Sequence, residues 1–321
     1  MTSDKNKFAS LSGSIEKTGN AINQKFIRFL DLISQRNNIK LLARLGYPPK
    51  TNLLIIHADD FGISHSENNA TIQLFEKGTI SSTSVMAPCY AFNEAAEWGK
   101  TNQDKDIGIH LTLTSGWESA KWKPVMTDKV TSLTNESGNL YRTTEEMAEH
   151  ASLKELELEL EAQIEKSLNA GIDVTHLDSH GFVMQHNHDL LNIYLRLGRK
   201  FNIPVMLNQK CRSMMKNNHN EKDVFVDRVF MASRRHYKKG VEKYYLKILK
   251  SLKPGLNTIL LHPAYNNEEM LALTGSQLSF NGERRQADFD FFISDNCKQI
   301  LEKENIQLIT WREIRDKIIR S

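Results

Sequence analysis

Two rhythms of apolar residues alternate along most of this chain. Short runs rich in apolar and β-branched residues read as strands. Between them lie longer stretches whose apolar residues recur every three or four positions, the spacing of a helix with one buried face. The first pattern predicts strands over 52–57, 79–87, 107–113, 172–177, 203–207, 258–261 and 306–309. The second predicts helices over 67–77, 92–99, 152–170, 189–201, 241–252, 288–304 and 311–319. The clearest is 152–170, where Leu153, Leu156, Leu160, Ile164 and Leu168 fall on one stripe. Ser152 and Glu155 have the spacing of a capping box, and Gly171 closes the helix. Residues 114–145 have no period and read as a long excursion, and 264–286 as loop. Residues 1–24 are rich in Ser, Lys and Asn, and 25–45 hold one or two amphipathic helices that stop at Gly46 and Pro48-Pro49. The expected organisation is a partly loose N-terminal helical extension over 1–45 and a single domain over 46–321.

About seven strands alternating with helices imply parallel pairing and right-handed crossovers. The predicted fold is α/β, a TIM-like (β/α) barrel that need not be complete. A doubly wound open sheet is the competing architecture. There is no glycine-rich phosphate fingerprint, which removes support for a nucleotide site.

Composition narrows the class further. The net charge of +3, with both signs interspersed, points to no nucleic-acid or membrane-surface partner. No run of about 18 apolar residues predicts a membrane span. The segment Phe26–Ile33 is broken by Arg28 and Asp31, and residues 1–20 lack a secretory apolar core. Cys89, Cys211 and Cys297 are odd in number and unpaired in sequence, so neither a disulfide framework nor a thiolate zinc site is expected. A cytoplasmic location is the expectation, with no oligomeric state specified and a homo-oligomer compatible.

The chemistry sits at the downstream ends of the predicted strands. Four clusters lie there: His57-Ala58-Asp59-Asp60-Phe61-Gly62, Gly108-Ile109-His110, His176-Leu177-Asp178-Ser179-His180 and Leu261-His262-Pro263. Carboxyl ends of parallel strands face a common crevice, so clusters far apart in sequence can meet there. Adjacent carboxylates repel, and Asp59-Asp60 are tolerable together if a cation neutralises one and the other serves as a base; a helix N-cap is the plainer alternative. His110, taken alone, reads first as a satisfied core histidine and second as a metal ligand, with Gly108 pointing to a close approach on the backbone. His176, Asp178 and His180 share one face of an extended chain, where imidazoles could bind metal and the carboxylate could hold a ring nitrogen. His262, fixed by Pro263, could act as a general acid or be an ordinary loop residue. Trp117 and Trp122 offer sugar-binding faces, or pin the excursion to the core. Arg284-Arg285 either pair with the site carboxylates or begin a helix in solvent. His186 and His188 read as surface residues.

Taken together, the segments Leu-Ile-Ile-His-Ala-Asp59-Asp60-Phe-Gly, Gly-Ile-His110-Leu-Thr-Leu-Thr, Thr-His-Leu-Asp178-Ser-His180, Leu-Leu-His262-Pro-Ala-Tyr and Arg285-Gln-Ala-Asp288 resemble the YdjC-like carbohydrate deacetylases, the family of chitooligosaccharide deacetylase. The resemblance runs from about residue 52 to 319 and leaves 1–45 outside. It implies a TIM-like deacetylase barrel with a divalent metal, usually Mg2+ and sometimes Zn2+. By the family pattern Asp60, His110 and His180 hold the metal, Asp59 is the base and His262 the general acid. It further implies an N-acetylated amino sugar or oligosaccharide as substrate, with Trp117, Trp122 and Arg285 as candidate substrate contacts and His176 and Asp178 behind the ligands. Close relatives of the chitooligosaccharide enzyme carry more histidines after the one matching His180, where this chain has Gly181-Phe182-Val183-Met184. The pocket beside His180 therefore differs. Another metal-dependent hydrolase, a phosphoesterase or glycosidase, and a non-catalytic sugar-binding barrel are the rival readings.

Overall fold

The computed structural model describes residues 39–117, 119–215, 219–275 and 281–321. The expectation for residues 1–38 lies outside them. Residues 39–45 form the end of the predicted N-terminal helix, closed at Gly46 with φ +86°.

Among the described residues, seven parallel strands form one sheet: β1 (Asn52–Phe61), β2 (Ser82–Val85), β3 (Ile107–Leu111), β4 (Val174–Ser179), β5 (Arg228–Met231), β6 (Gly255–Leu261) and β7 (Gln307–Leu308). Their order is β4-β3-β2-β1-β6-β5, with β7 beside the start of β1. The two free edges are linked by the segment around Pro204–Leu207. Leu177 N–H donates to the Pro204 carbonyl (2.9 Å), Met206 N–H to the Leu177 carbonyl (2.9 Å), and Val226 N–H to the Leu207 carbonyl (2.7 Å). The chain then runs from Val226 into β5. The architecture is an open parallel α/β sheet of TIM-like type, with isolated bridges across this seam.

Alternation along β1 sorts its residues between two layers. Leu54, Ile56 and Ala58 pack outward against helices His65–Lys77, Val241–Lys250, Gly282–Ile293 and Asp295–Lys303. Leu53 and Ile55 face the interior, with Leu256, Leu260, Met206 and Val226, and Trp311, Ile314 and Ile318 close that interior core. His57 and Asp59 continue the inward stripe of Leu53 and Ile55, which is why polar chemistry lies at one end of an apolar strand.

Several boundaries differ from expectation, each for a local reason. The stretch 203–207 makes isolated bridges rather than a strand, because it contains Pro204, which has no N–H to give to a ladder. Its place among the seven strands is taken by β5, whose apolar Val-Phe-Met follows the charged pair Asp227-Arg228. The helix predicted over 288–304 is two helices, Gly282–Ile293 and Asp295–Lys303. Ser294 adopts extended φ/ψ between them, and its hydroxyl caps the second by accepting from Cys297 N–H. The stretch 264–286 contains a helix at Glu268–Thr274. The predicted Ser152–Glu155 capping box is absent: Ser152 makes no side-chain cap bond, and Glu155 instead accepts from Ser132 N–H in the excursion (2.9 Å). Leu153 and Leu168, at the ends of the predicted stripe, are exposed, whereas Leu156, Leu160 and Ile164 are buried. Gly108 meets its expectation. An added Cβ there would lie 2.3 Å from the imidazole of His176.

Candidate metal and acid–base site

Both carboxylates of the Asp59-Asp60 pair reach one cavity through a break in β1. Asp59 lies on the inward stripe. Asp60 should face outward, but its φ is +68° and the pairing with β2 slips between Ala58 and Phe61. A left-handed non-glycine residue is unfavourable and persists where its surroundings over-determine it. Here the Asp60 carboxylate is buried between three partners. Its Oδ2 accepts from the Arg285 guanidinium at 2.8 Å. Its Oδ1 lies 3.2 Å from His180 Nδ1 and 3.4 Å from His110 Nε2. Burial alone would raise the Asp60 pKa, but Arg285, His110 and His180 outweigh it and hold the group ionised well below the usual carboxylate range.

His110 is oriented from behind. Its Nδ1 lies 2.7 Å from Asp178 Oδ1, while its Nε2 faces Asp60. Asp178 is itself fixed on its other oxygen by the Ser84 hydroxyl (2.8 Å) and by His57 Nε2 (2.9 Å). Against burial, which would lower it, Asp178 and Asp60 push the His110 pKa well above the ordinary imidazole value. The Asp178 pKa is drawn well down: burial raises it, and His110 and His57 more than reverse that.

His57 connects this group to Asp59. Its Nδ1 meets Ser82 Oγ at 2.9 Å, and its Nε2 lies 3.2 Å from Asp59 Oδ1. Although its burial disfavours the charge, Asp178 and Asp59 raise its pKa to about 9. His57 is thus an imidazolium at neutral pH, flanked by two carboxylates. Asp59 Oδ1 faces His57, and its Oδ2 lies 3.5 Å from His262 Nε2. Burial drives the His262 pKa down to about 4, against the pull of Asp60 and Asp59. The main chain of His262 is held in place by Asp288, whose Oδ2 accepts from its N–H at 3.1 Å. Asp288 also accepts from Tyr237 and Tyr245.

These groups open onto a cavity of about 470 Å³. Asp59, Asp60, His110, His180, His262 and Arg285 all line it. Among the described residues, three His/Asp groups bring ligand atoms within 4.8 Å of one another: Asp60/His110/His180, His57/His176/Asp178 and Asp59/His110/Asp178. The first fits a metal best. All three of its residues line the cavity, whereas His57 and His176 do not, and Asp178 is already committed to His110, Ser84 and His57. Donors of 3.2–3.4 Å separation match neighbouring ligands on one ion with bonds of about 2.1 Å. The Asp178 bond to the rear nitrogen of His110 is the support that metal-ligating histidines ordinarily have.

The chain also matches known proteins. The model of the YdjC-like protein family matches residues 53–303. The chain belongs to the YdjC-like family. A carbohydrate deacetylase of Thermoanaerobacter pseudethanolicus is 30% identical over 249 residues, covering 76% of this chain and 94% of that protein. One from Brevibacillus brevis is 29% identical, covering 81% and 99%. Among solved structures, a proposed cellobiose-phosphate cleavage protein of Enterococcus faecalis V583 superposes with a TM-score of 0.68 at 24% identity, covering 82% of this chain and 99% of that one, a likeness of fold.

Within this YdjC-like fold, the residues singled out from sequence fall into distinct places. Asp59, Asp60, His110, Asp178, His180 and His262 converge. Arg285 is 1% exposed and bridges Asp60 and Glu67, with its guanidinium 4.9 Å from the Trp117 ring, so most of its donors serve the protein. Trp117 lines the cavity. Trp122 lies behind it, giving its indole N–H to the Thr114 carbonyl (3.0 Å) and packing 6.3 Å from His180. His176 sits beneath His57 and stacks on Trp311, away from the cavity. His186 and His188 are exposed. Sequence reading missed the roles of His57, Ser84 and Glu67. His57 carried a usable signal, since it shares the inward parity of Asp59. Ser84 and Glu67 did not: a serine in a β-branched strand and a glutamate in a helix's first turn are ordinary.

No helix among the described residues is long and apolar enough to cross a membrane.

Proposed function

We propose that this YdjC-like protein is a metal-dependent hydrolase that removes N-acetyl groups from an amino sugar or oligosaccharide. The observation that carries the reading is the juxtaposition of two unlike carboxylates. Asp60 is tied to Arg285 and two imidazoles, whereas Asp59 beside it faces His57 at 3.2 Å through Oδ1 and His262 at 3.5 Å through Oδ2. One is placed to bind a cation, the other to take a proton. The names of the curated relatives support the amide of an acetylated sugar as the group attacked.

Asp60, His110 and His180 would hold a divalent ion, Mg2+ or Zn2+. When bound, such an ion supplies Lewis-acid polarisation of a carbonyl and increases the acidity of water. Asp59 accepts the proton of the attacking water. His57, charged and 3.2 Å from Asp59 Oδ1, keeps that carboxylate oriented before the transfer. With its pKa near 4, His262 enters the reaction neutral. To protonate the departing amine it must first gain a proton, and Asp59 Oδ2, 3.5 Å away, is the nearest carboxylate source. Asp59 and His262 therefore act as a couple, one side receiving from water and the other delivering to nitrogen. His262→Ala should slow hydrolysis of an N-acetyl sugar more than that of an activated acetate ester, whose leaving group needs no proton. Equal losses on the two substrates would assign His262 to binding or to support of the fold.

Metal uptake should depend on pH. Without an ion, His110 is held protonated above its ordinary range, so a ligand bond at its Nε2 displaces that proton. Affinity should rise with pH through the neutral range, approaching about tenfold per unit for one proton released. Calorimetric titration with Zn2+ at pH 6, 7 and 8 checks this, and an affinity that does not change with pH would contradict it.

The functional class is tested by product analysis on a panel of N-acetylated sugars, sugar phosphates and glycosides, each with Mg2+ or Zn2+. Acetate is expected. Phosphate would point to a phosphoesterase, a new reducing end to a glycosidase, and binding without turnover to a sugar-binding barrel.

A further inference from the structure

The cavity is lopsided. Around its mouth from the end of β4 to the end of β6, between His180 and His262, the lining residues include Phe182, Met206, Met231 and Leu260. Phe182 follows His180 by two residues, Leu260 precedes His262 by two, and Met231 pairs with Leu260 in the sheet. Phe182, Met206 and Leu260 belong to one packed cluster.

This wall is built in place. Met206 is fixed through its main chain: its N–H donates to the Tyr194 hydroxyl (3.0 Å), and its carbonyl accepts from Gln185 Nε2 (3.2 Å). The Met231 carbonyl accepts from the Tyr244 hydroxyl (3.0 Å). Phe182 has φ +56°, a left-handed backbone that a bulky side chain seldom adopts, so its ring is held at the cavity at some cost. Met231 is 37% exposed, so its side chain is open to an occupant of the cavity.

Polar atoms beside this wall are bonded within the protein. Ser179 Oγ accepts from Met184 N–H (3.0 Å), and Gln185 spends its amide on Met206 and Asn208. A sugar hydroxyl pressed against this wall would lose water and gain no partner. An alkyl chain would lose nothing, and two thioethers beside an aromatic ring adapt readily to its shape. We propose that the favoured substrate is an N-acylated amino sugar bearing an unbranched apolar chain that lies along Phe182, Met206, Met231 and Leu260. The inference rests on the deacetylase reading for the reaction, but not for the wall itself. Two sources present the same chemistry, an N-acyl group longer than acetyl and an alkyl aglycone.

The test uses the full chain loaded with Zn2+ and two substrate series. One varies the acyl group on glucosamine from acetyl to hexanoyl. The other keeps N-acetyl and varies the glycoside from methyl to hexyl. A buried methylene is worth roughly fourfold, so one series should gain at least about tenfold in kcat/KM at full length, and which series gains identifies the source. Met231→Gln should shrink the gain. Phe182→Gly, which suits the left-handed backbone and so should fold, should remove most of it. Binding of hexyl and methyl glucosaminides, measured by calorimetry, reads the wall without catalysis. Hydrolysis of N-acetylglucosamine with no gain in either series overturns the apolar wall and spares the deacetylase reading. Tighter binding of the hexyl glycoside with no hydrolysis of any N-acyl sugar supports the wall and overturns that reading.

Discussion

Asp59→Asn is expected to lower acetate release by roughly 10²–10⁴ while the protein still binds one divalent ion. The amide keeps the shape of the carboxylate and abolishes its ability to take a proton from water. Asp59 is not held by Arg285, and its nearest groups are His57 (3.2 Å) and His262 (3.5 Å), so its replacement leaves the Asp60 contacts in place. Steady-state kinetics with metal analysis of the same sample separates the roles. Should Asp59→Asn lose its metal while Asp60→Asn keeps it, the base and the ligand have been exchanged.

The companion change, Asp60→Asn, should have the opposite signature. It removes the anionic member of the Asp60, His110 and His180 group and the 2.8 Å partner of Arg285. Metal affinity should fall by more than about 100-fold, beyond the usual loss for a supporting residue, and activity should fall with it and return in part at high metal concentration. Stability should suffer less than the ~3–5 kcal/mol typical of a broken buried pair. Glu67, which its burial and the nearby Asp60 charge hold well above the usual carboxylate range, can then ionise and take over the Arg285 charge. Thermal unfolding of the metal-free variant measures that cost. Turnover unchanged at low metal would remove Asp60 from the ligand set.

Much of this fold was legible because its strands announce themselves by composition. β1, β3, β4 and β6 are fully or almost fully buried, and their apolar runs lead straight into the polar residues that matter. β5 is short and its apolar run is broken from Val224-Phe225-Val226 by Asp227-Arg228, and the apolar residues of 203–207 pack without forming a ladder. The four strand-end clusters converge as parallel topology requires. What sequence could not supply is the reversal of Asp60. Parity alone sends it away from Asp59, and only the left-handed backbone with the slip against β2 brings both carboxylates to one cavity. The linkage from His57 through Asp178 to His110 was likewise hidden, since it joins three strands at distances of 2.7–2.9 Å that no spacing encodes.

The central claim is that one ion, held by Asp60, His110 and His180, enables deacetylation. Its most direct test is a titration of metal-stripped protein with Zn2+ or Mg2+, reading acetate release from an N-acetylated amino sugar against bound metal. Activity should start near zero and saturate at one ion per chain, with the ion located at the three residues in a crystal of the saturated protein. Full acetate release from the stripped protein, or saturation with the ion bound elsewhere, would contradict the account.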